Sequence, residues 1–139
     1  MRQIVLDAGP LIGLFYAKDN LHQDCVTGFQ QLAQQETLLL TPVPIIFEVY
    51  KWLLQRTSSD TAQTALKAMQ ISLYPLPLDK SSFGKLQVVV TGLPQWRGAL
   101  EDGTVMLTAL KYRCPIWTYN FRDFNVFRTL EFWNPNIKN

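Results

Sequence analysis

The chain has 139 residues, a length that suits a single domain with a sizeable hydrophobic core. Hydrophobic residues make up 47% of it and charged residues 17%, a balance that favours a folded globular protein over a disordered one. The net charge of +2 does not by itself indicate a nucleic-acid partner, and it does not exclude one, because a local patch of charge can outweigh the total.

Short apolar runs alternate with longer segments in which apolar residues recur at helical spacing. In chain order, the predicted elements are a strand at 4–6, helices at 11–17 and 20–34, a strand at 37–40, helices at 44–54 and 59–70, a strand at 71–76, helices at 79–90 and 100–112, and strands at 116–118 and 130–133. Strands separated by helices imply right-handed crossovers and a parallel sheet covered on both faces. We therefore predict one α/β domain over residues 1–139, a three-layer α/β/α sandwich with a central, mainly parallel sheet.

Several of these helices begin with residues that suit a helix N-terminus. Pro10 suits the first turn of the first helix, because its fixed backbone angle is already helical. Asn20 is expected to cap the second helix and Asp79 the fifth. Ser59 or Asp60 is expected to begin the fourth.

The two cysteines, Cys25 and Cys114, are far apart and lack CxxC spacing, so we expect reduced thiols and a cytoplasmic protein. The start of the chain reaches the acid Asp7 after three apolar residues, which does not resemble a secretory signal. Residues 38–54 are apolar enough to suggest a membrane span, but they contain two prolines and two charged residues. Charges near the middle of a span are costly, so no membrane segment is expected.

Four acidic residues lie where a parallel sheet and its flanking helices could bring them together. They are Asp7, Glu48, Asp102 and Asp123. Asp7 directly follows the first strand, and Asp123 follows the strand at 116–118 by a few residues. Ligands of open parallel sheets bind beyond the carboxyl ends of the strands, so these positions suit chemistry.

Each acid also has a purely structural interpretation. Asp7 could cap the first helix, and Asp123 could be a turn residue or a cap. Asp102 could interact favourably with the dipole at a helix N-terminus. Glu48 could lie on an exposed helix face, paired with Lys51 or Arg56.

Carboxylates gathered at one edge repel each other strongly unless a cation lies between them. An oxygen-only set of ligands suits Mg²⁺ or Mn²⁺, which could activate a water molecule for in-line displacement at a phosphodiester. A zinc site or a histidine base is poorly supported, because His22 is the only histidine. The chain also lacks the GxGxxG, GxxxxGK[ST] and GxSxG patterns of nucleotide-binding proteins and serine hydrolases.

An ordered set of motifs resembles the PIN-domain family of VapC-like toxins over nearly the whole chain. The matching segments are IVLDAGPLI at 4–12, DNLH at 19–22, TPVPIIFEV at 41–49, LEDGT at 100–104 and IWTYNFRDF at 116–124. The first segment alone is common, and the ordered set is more specific.

The resemblance implies a PIN-like α/β/α sandwich that binds Mg²⁺ or Mn²⁺ and cuts single-stranded or structured RNA. Asp7, Glu48 and Asp102 match the first three acids of the family, and Thr118 matches a hydroxyl residue that orients a carboxylate or a water molecule. The family often has an aspartate where this chain has Asn120.

Asp123 lies three residues after Asn120 and could serve instead. The Asn120 carbonyl could still coordinate a metal. It adds no negative charge, however, so we expect a second metal site to bind its ion more weakly. The same substitution motivates an alternative function, a PIN-like domain that binds RNA or a protein partner without cutting.

The resemblance further implies an antitoxin partner and a homodimer, for which the apolar helices at 11–17 and 44–54 offer faces unless those faces are core. Arg97 and Arg122 could contact phosphate, and Trp96 could stack on a base. The alternative for these three residues is ordinary surface charge or packing.

Overall fold

The computed structural model describes residues 2–135 and has a four-stranded, all-parallel sheet at its centre. The strands are β1 (Gln3–Leu6), β2 (Leu38–Pro42), β3 (Tyr74–Leu76) and β4 (Ile116–Trp117). Their order across the sheet is β3-β2-β1-β4, so that β1 lies inside it, with Val5 opposite Leu40 on one side and Ile116 on the other. The short apolar runs became strands because three of the four positions in β1 are completely buried.

Seven helices flank this sheet in residues 2–135. They are α1 (Ala8–Phe15), α2 (His22–Gln34), α3 (Val43–Arg56), α4 (Ser59–Ser72), α5 (Lys80–Gly92), α6 (Leu100–Tyr112) and α7 (Phe121–Phe124). Helix α1 packs against α2 and α3, α3 against α4, and α5 against α6, which itself contacts β1 and β2. The predicted α/β/α sandwich with a central parallel sheet is confirmed.

Aromatic side chains near the end of the chain complete the core. Trp117 and Phe124 are fully buried. The Trp117 ring lies 4.7 Å from the ring of Phe29 and 4.9 Å from the ring of Trp133, measured between centroids. These contacts join α2, β4 and the last described segment of the chain into one aromatic cluster.

Two predicted strands were wrong in part. Residues 71–72 belong to the end of α4, where Ile71 is 86% exposed, and β3 begins only at Tyr74. Residues 130–133 do not form a full strand, because Phe132 makes a single isolated bridge to Ile116. Residues 71–72 continue α4 at the surface, and residues 130–133 meet the edge strand β4 at one bridge only.

Helix caps were predicted with mixed success. The carboxylate of Asp79 caps α5 by accepting a hydrogen bond from the Ser82 backbone at 2.8 Å, as expected. Asn20 does not cap α2, which begins at His22. Asp19 instead accepts a hydrogen bond from the Leu21 backbone at 2.8 Å. Helix α4 is capped by the hydroxyl of Ser58, the residue before the predicted start at Ser59 or Asp60.

Both cysteines are free thiols, with Cys25 buried and Cys114 partly buried, as expected from their spacing. Among the helices of residues 2–135, none combines the length and apolar character needed to cross a membrane.

Gly28 provides a test of the packing around Trp117. A Cβ built on Gly28 would lie 2.7 Å from Trp117 Cζ2 and still closer to Cη2, and the ring is held in place by its aromatic neighbours. Gly28→Ala should therefore lower the free energy of unfolding by about 2 kcal/mol, despite the better helix propensity of alanine. Gly84 in α5 is the matched control, since a Cβ there meets nothing within 4 Å.

Gly84→Ala should raise the free energy of unfolding by up to about 1 kcal/mol. Urea denaturation of both variants measures the difference. If Gly28→Ala were as stable as Gly84→Ala, the packing of α2 against Trp117 would be wrong.

Candidate active site

Asp7 lies directly after β1 and caps α1. Its backbone is extended, and its Oδ1 accepts a hydrogen bond from the Ala8 backbone at 2.8 Å. Its second oxygen, Oδ2, accepts a hydrogen bond from the Thr118 hydroxyl at 2.7 Å. The side chain is only 5% exposed. Asp7 therefore fills the structural role of a cap and also presents a buried carboxylate at the carboxyl edge of the sheet.

A chain of hydrogen bonds continues from Asp7 to Asp123. Thr118, which follows β4, is fully buried, and its Oγ1 accepts a hydrogen bond from the Asn120 backbone at 2.9 Å. The Asn120 side chain donates from Nδ2 to Asp123 Oδ2 at 2.8 Å. Asp123 lies in α7, a one-turn helix that sequence reasoning did not predict. Asp7 and Thr118, which follow β1 and β4, are thus connected through Asn120 to Asp123 in α7.

Glu48 lies half-buried in the middle of α3, on the side of the other acids. Its pKa is raised to about 7, first by burial and then by the charges of Asp7, Asp102 and Glu101. Every cause of this shift acts in the raising direction, so burial and the neighbouring acids both disfavour the charged carboxylate. The predicted alternative, an exposed Glu48 paired with Lys51, does not describe this environment.

Asp102 lies in the first turn of α6 and is buried. Its Oδ2 accepts a hydrogen bond from the Ala99 backbone at 3.1 Å, which stabilises the charged form. Burial and the charge of Asp7 outweigh this contact and raise the pKa of Asp102 to about 6, with Asp123 adding to the effect. The structural interpretation of Asp102 as a helix-start acid is correct, and it does not exclude a place in the acid group.

The four acids are therefore close enough for their charges to act on one another. Burial raises the pKa of Asp7 most, the Thr118 and Ala8 hydrogen bonds lower it, and the charge of Asp123 raises it again. Glu101 is a fifth acid that sequence reasoning left out, although its place beside Asp102 at a helix start was a signal. Together with Glu48 it lines a surface groove of about 490 Å³.

The donor set suits a hard divalent cation, because it consists of carboxylate oxygens with the Asn120 amide beside them. Within residues 2–135, however, no three acidic, histidine or cysteine side chains are arranged closely enough to form a preformed metal site. Charges influence each other over longer distances than a metal–ligand bond spans, so the two observations are compatible. The fit to a cation depends on the chemistry of the donors, not on a ready-made cage.

The other predicted residues lie at different places. Arg122 is exposed in α7 beside Asp123. Arg97 is exposed in the loop before α6, where it donates to two backbone carbonyls at 3.4 Å. Trp96 is 7% exposed and packs edge-on against Phe124 at 6.3 Å, so the packing alternative describes it and base stacking does not.

Glu48 makes the stability of the metal-free protein depend on pH. Its pKa of about 7 exceeds the ordinary value of 4.5, so the folded state holds the proton more tightly, and stability falls as the pH rises from about 4.5 to 7. In EDTA, Glu48→Gln should raise the free energy of unfolding at pH 8 by about 1–2 kcal/mol, a value reduced for partial exposure, and should change little at pH 4.5.

Urea denaturation at both pH values, with the exposed Glu131→Gln as the control, measures this effect. An equal gain at both pH values would argue against a charge penalty at Glu48.

Thr118 provides a second test of the site. Thr118→Val removes the donor to Asp7 and the acceptor for the Asn120 backbone, and leaves both groups unpaired in a buried place. The free energy of unfolding should fall by about 2–3 kcal/mol. Thr118→Ser keeps both hydrogen bonds and should cost only about 1 kcal/mol for the lost methyl group. Similar losses for the two variants, measured in urea, would show that the hydroxyl contributes little.

Comparison with known proteins finds structural likeness without sequence likeness. No protein-family model matches the sequence, and no curated protein matches it significantly. VapBC2 from Rickettsia felis, solved bound to a DNA fragment from its promoter, matches with a TM-score of 0.72 and 12% identity over 95% of this chain and 98% of the other. VapBC-1 from nontypeable Haemophilus influenzae matches with a TM-score of 0.68 and 14% identity, over 97% and 99%.

VapC20 from Mycobacterium tuberculosis, described as a Sarcin-Ricin loop cleaving toxin, matches with a TM-score of 0.68 and 14% identity over 80% of this chain and 84% of that one. Identities this low establish the fold alone. The chain therefore has the PIN-like fold of the VapC-type toxin structures, the family that its sequence motifs resemble.

Proposed function

We propose that the protein is a metal-dependent endoribonuclease that hydrolyses RNA phosphodiester bonds, as the toxin of a toxin–antitoxin pair in the cytoplasm. The observation that supports this most is the group of buried and half-buried acids at the carboxyl edge of the sheet, where burial and then the charge of Asp7 raise the pKa of both Glu48 and Asp102. Mutual repulsion between these acids lowers the stability of the folded protein, and a structural role alone does not explain why they lie together.

Asp7, Glu48, Asp102 and Asp123 would hold Mg²⁺ or Mn²⁺, with the Asn120 carbonyl as a further neutral ligand. The metal would supply a Lewis acid that lowers the pKa of a bound water molecule and stabilises charge on the phosphate. The chain itself orients Asp7, because one of its oxygens accepts a hydrogen bond from the Thr118 hydroxyl and the other from the Ala8 backbone. Glu48, with a pKa of about 7, is partly protonated near neutral pH, and Asp102, with a pKa of about 6, gains its proton just below, so cation binding should weaken as the pH falls.

The RNA substrate would approach from the solvent side of this edge. Arg122 is adjacent to Asp123 and exposed, and Arg97 lies in the loop that leads into α6, which carries Asp102. Guanidinium groups at these places suit contacts with backbone phosphates, which position a nucleic acid without reading its sequence.

Protein partners follow from the fold and from exposed apolar surface. Two of the matching structures are VapBC complexes, which supports an antitoxin as a partner of this chain. A homodimer is proposed through α3, where Phe47 is 70% exposed and Leu54 is exposed as well. On α1, the other helix that sequence reasoning offered for a dimer, Leu11 is buried in the core, whereas Ile12, Leu14 and Phe15 are partly buried against it.

The test of the function is cleavage of a mixed single-stranded RNA pool with Mn²⁺. Asp7→Asn and Asp102→Asn should each lower the rate on the order of 100-fold or more, because each removes a charged ligand, and EDTA should abolish cleavage. Glu131→Gln, an exposed acid away from the site, is the control and should cut at the wild-type rate.

Unchanged cleavage by Asp7→Asn would sink the proposal. Intact RNA recovered with the protein under saturating Mn²⁺ would favour the alternative, a module that binds RNA without cutting.

A further inference from the structure

We infer that a cavity at the amino edge of the sheet is a binding site for a nucleoside monophosphate, whose phosphate is held by the guanidinium groups of Arg2 and Arg113. The cavity has a volume of about 310 Å³ and is formed where β1, β2 and β4 begin. The acids of the candidate active site lie at the opposite, carboxyl edge. The inference therefore goes beyond the proposed function and does not depend on it.

The charge of this cavity is positive. Arg2 and Arg113 line it together with Gln3 and Gln35, and no carboxylate is found among the described residues that do so. A guanidinium group donates paired hydrogen bonds to phosphate oxygens. A phosphate monoester carries a charge of about −2 near neutral pH, so it would neutralise both arginines.

Both arginines are attached to backbone that the fold holds in place. The Arg2 carbonyl accepts a hydrogen bond from the Leu38 backbone at 2.8 Å, and Arg2 Nη1 donates to Gln35 Oε1 at 3.3 Å. Arg113 ends α6, where its backbone N–H donates to the Ala109 carbonyl. The two guanidinium groups thus come from the start of β1 and from the turn before β4, segments that only the folded sheet brings together.

The backbone beside this cavity is strained at two places. Arg113 has φ 53° and ψ 52°, the left-handed conformation in which glycine is favoured at the end of a helix. Glu36, also at φ 53°, lies between the lining residues Gln35 and Thr37. Within residues 2–135 these are the two residues other than glycine with a positive φ. Strain of this kind is frequent at ligand sites, and here both instances lie next to one cavity.

The Thr37 hydroxyl gives a separate indication of a missing polar partner. Thr37 lines the cavity, and its Oγ1 is buried without a hydrogen-bond partner in the described part of the chain. Native proteins rarely leave such a group unpaired, and its usual partner is then a water molecule or a bound polar group.

The remaining wall of the cavity is apolar, which favours a ligand larger than free phosphate. Ile4 and Leu32 belong to the hydrophobic core, and Trp133 is partly buried against it. A flat base can contact these side chains while the phosphate meets the arginines. The cavity volume is at the lower end of the range for small-molecule sites, which suits a nucleoside monophosphate better than a larger cofactor.

The experiment is isothermal titration calorimetry of the full chain with adenosine 5′-monophosphate (AMP), in EDTA so that no metal at the acids can bind the phosphate. Arg2→Gln and Arg113→Gly should each weaken AMP binding about 10-fold or more, because each removes a charged hydrogen-bond donor. Adenosine, which lacks the phosphate, should bind at least about 10-fold more weakly than AMP. Inorganic phosphate should also bind more weakly than AMP, since it leaves the apolar wall uncovered.

Arg56→Gln is the matched control, because Arg56 is an exposed arginine in the last turn of α3 and does not line the cavity. It should bind AMP like the wild type. Glycine suits the left-handed backbone at position 113, so Arg113→Gly should be at least as resistant to urea as the wild type while it loses AMP. This result would separate a ligand-binding arginine from one that only stabilises the fold.

The inference would be overturned if the wild type did not bind AMP, or if Arg2→Gln and Arg113→Gly bound it as tightly as the wild type. Equal affinities for inorganic phosphate and AMP would overturn the assignment of a nucleoside monophosphate. None of these results bears on RNA cleavage, because the titration contains no metal and no RNA.

Discussion

The hydrogen bond from the Thr118 hydroxyl to Asp7 joins two strand ends that lie 111 residues apart in the chain. It can form because β1 and β4 are parallel neighbours, with Leu6 opposite Trp117 and the Asp7 backbone donating to the Trp117 carbonyl at 3.1 Å. A carboxylate as buried as Asp7 needs such donors, since an unpaired buried charge is very costly. Asn120 and Asp123 are connected to the same bond, because the Thr118 hydroxyl also accepts a hydrogen bond from the Asn120 backbone.

The acid group is a local cost that the rest of the domain must compensate. Burial and like charge raise the pKa of Asp7, Glu48 and Asp102 together, so each acid destabilises the folded, metal-free protein near neutral pH. The compensation comes from the apolar centre of the sheet and from the aromatic packing around Trp117. Local disagreement with the rules of stability is typical of functional sites, and these acids lie at one edge of the sheet.

The sequence correctly predicted features that depend only on residues close together in the chain. Asp79 caps α5 as expected, since a carboxylate beside a free helix N-terminus needs no help from the rest of the fold. Residues 130–133 and the surroundings of Trp96 depend on distant segments instead. Phe132 meets the edge strand β4 at one bridge to Ile116 and the pairing goes no further, and Trp96 is buried because it packs against Phe124. Neither outcome could be read from the neighbouring residues alone.

By itself, the sequence determined which side chains are available for chemistry, namely carboxylates after strands and at helix starts, with one histidine and none of the phosphate-loop patterns. The tertiary structure decided which groups meet. Glu48 is near Asp7 and not paired with Lys51, because the packing of α3 against α1 and α6 turns it toward the sheet edge. The amide of Asn120 faces Asp123 because a short helix begins after β4. Charge and hydrogen bonding act through space, so the neighbours of a side chain are decided only when the chain has folded.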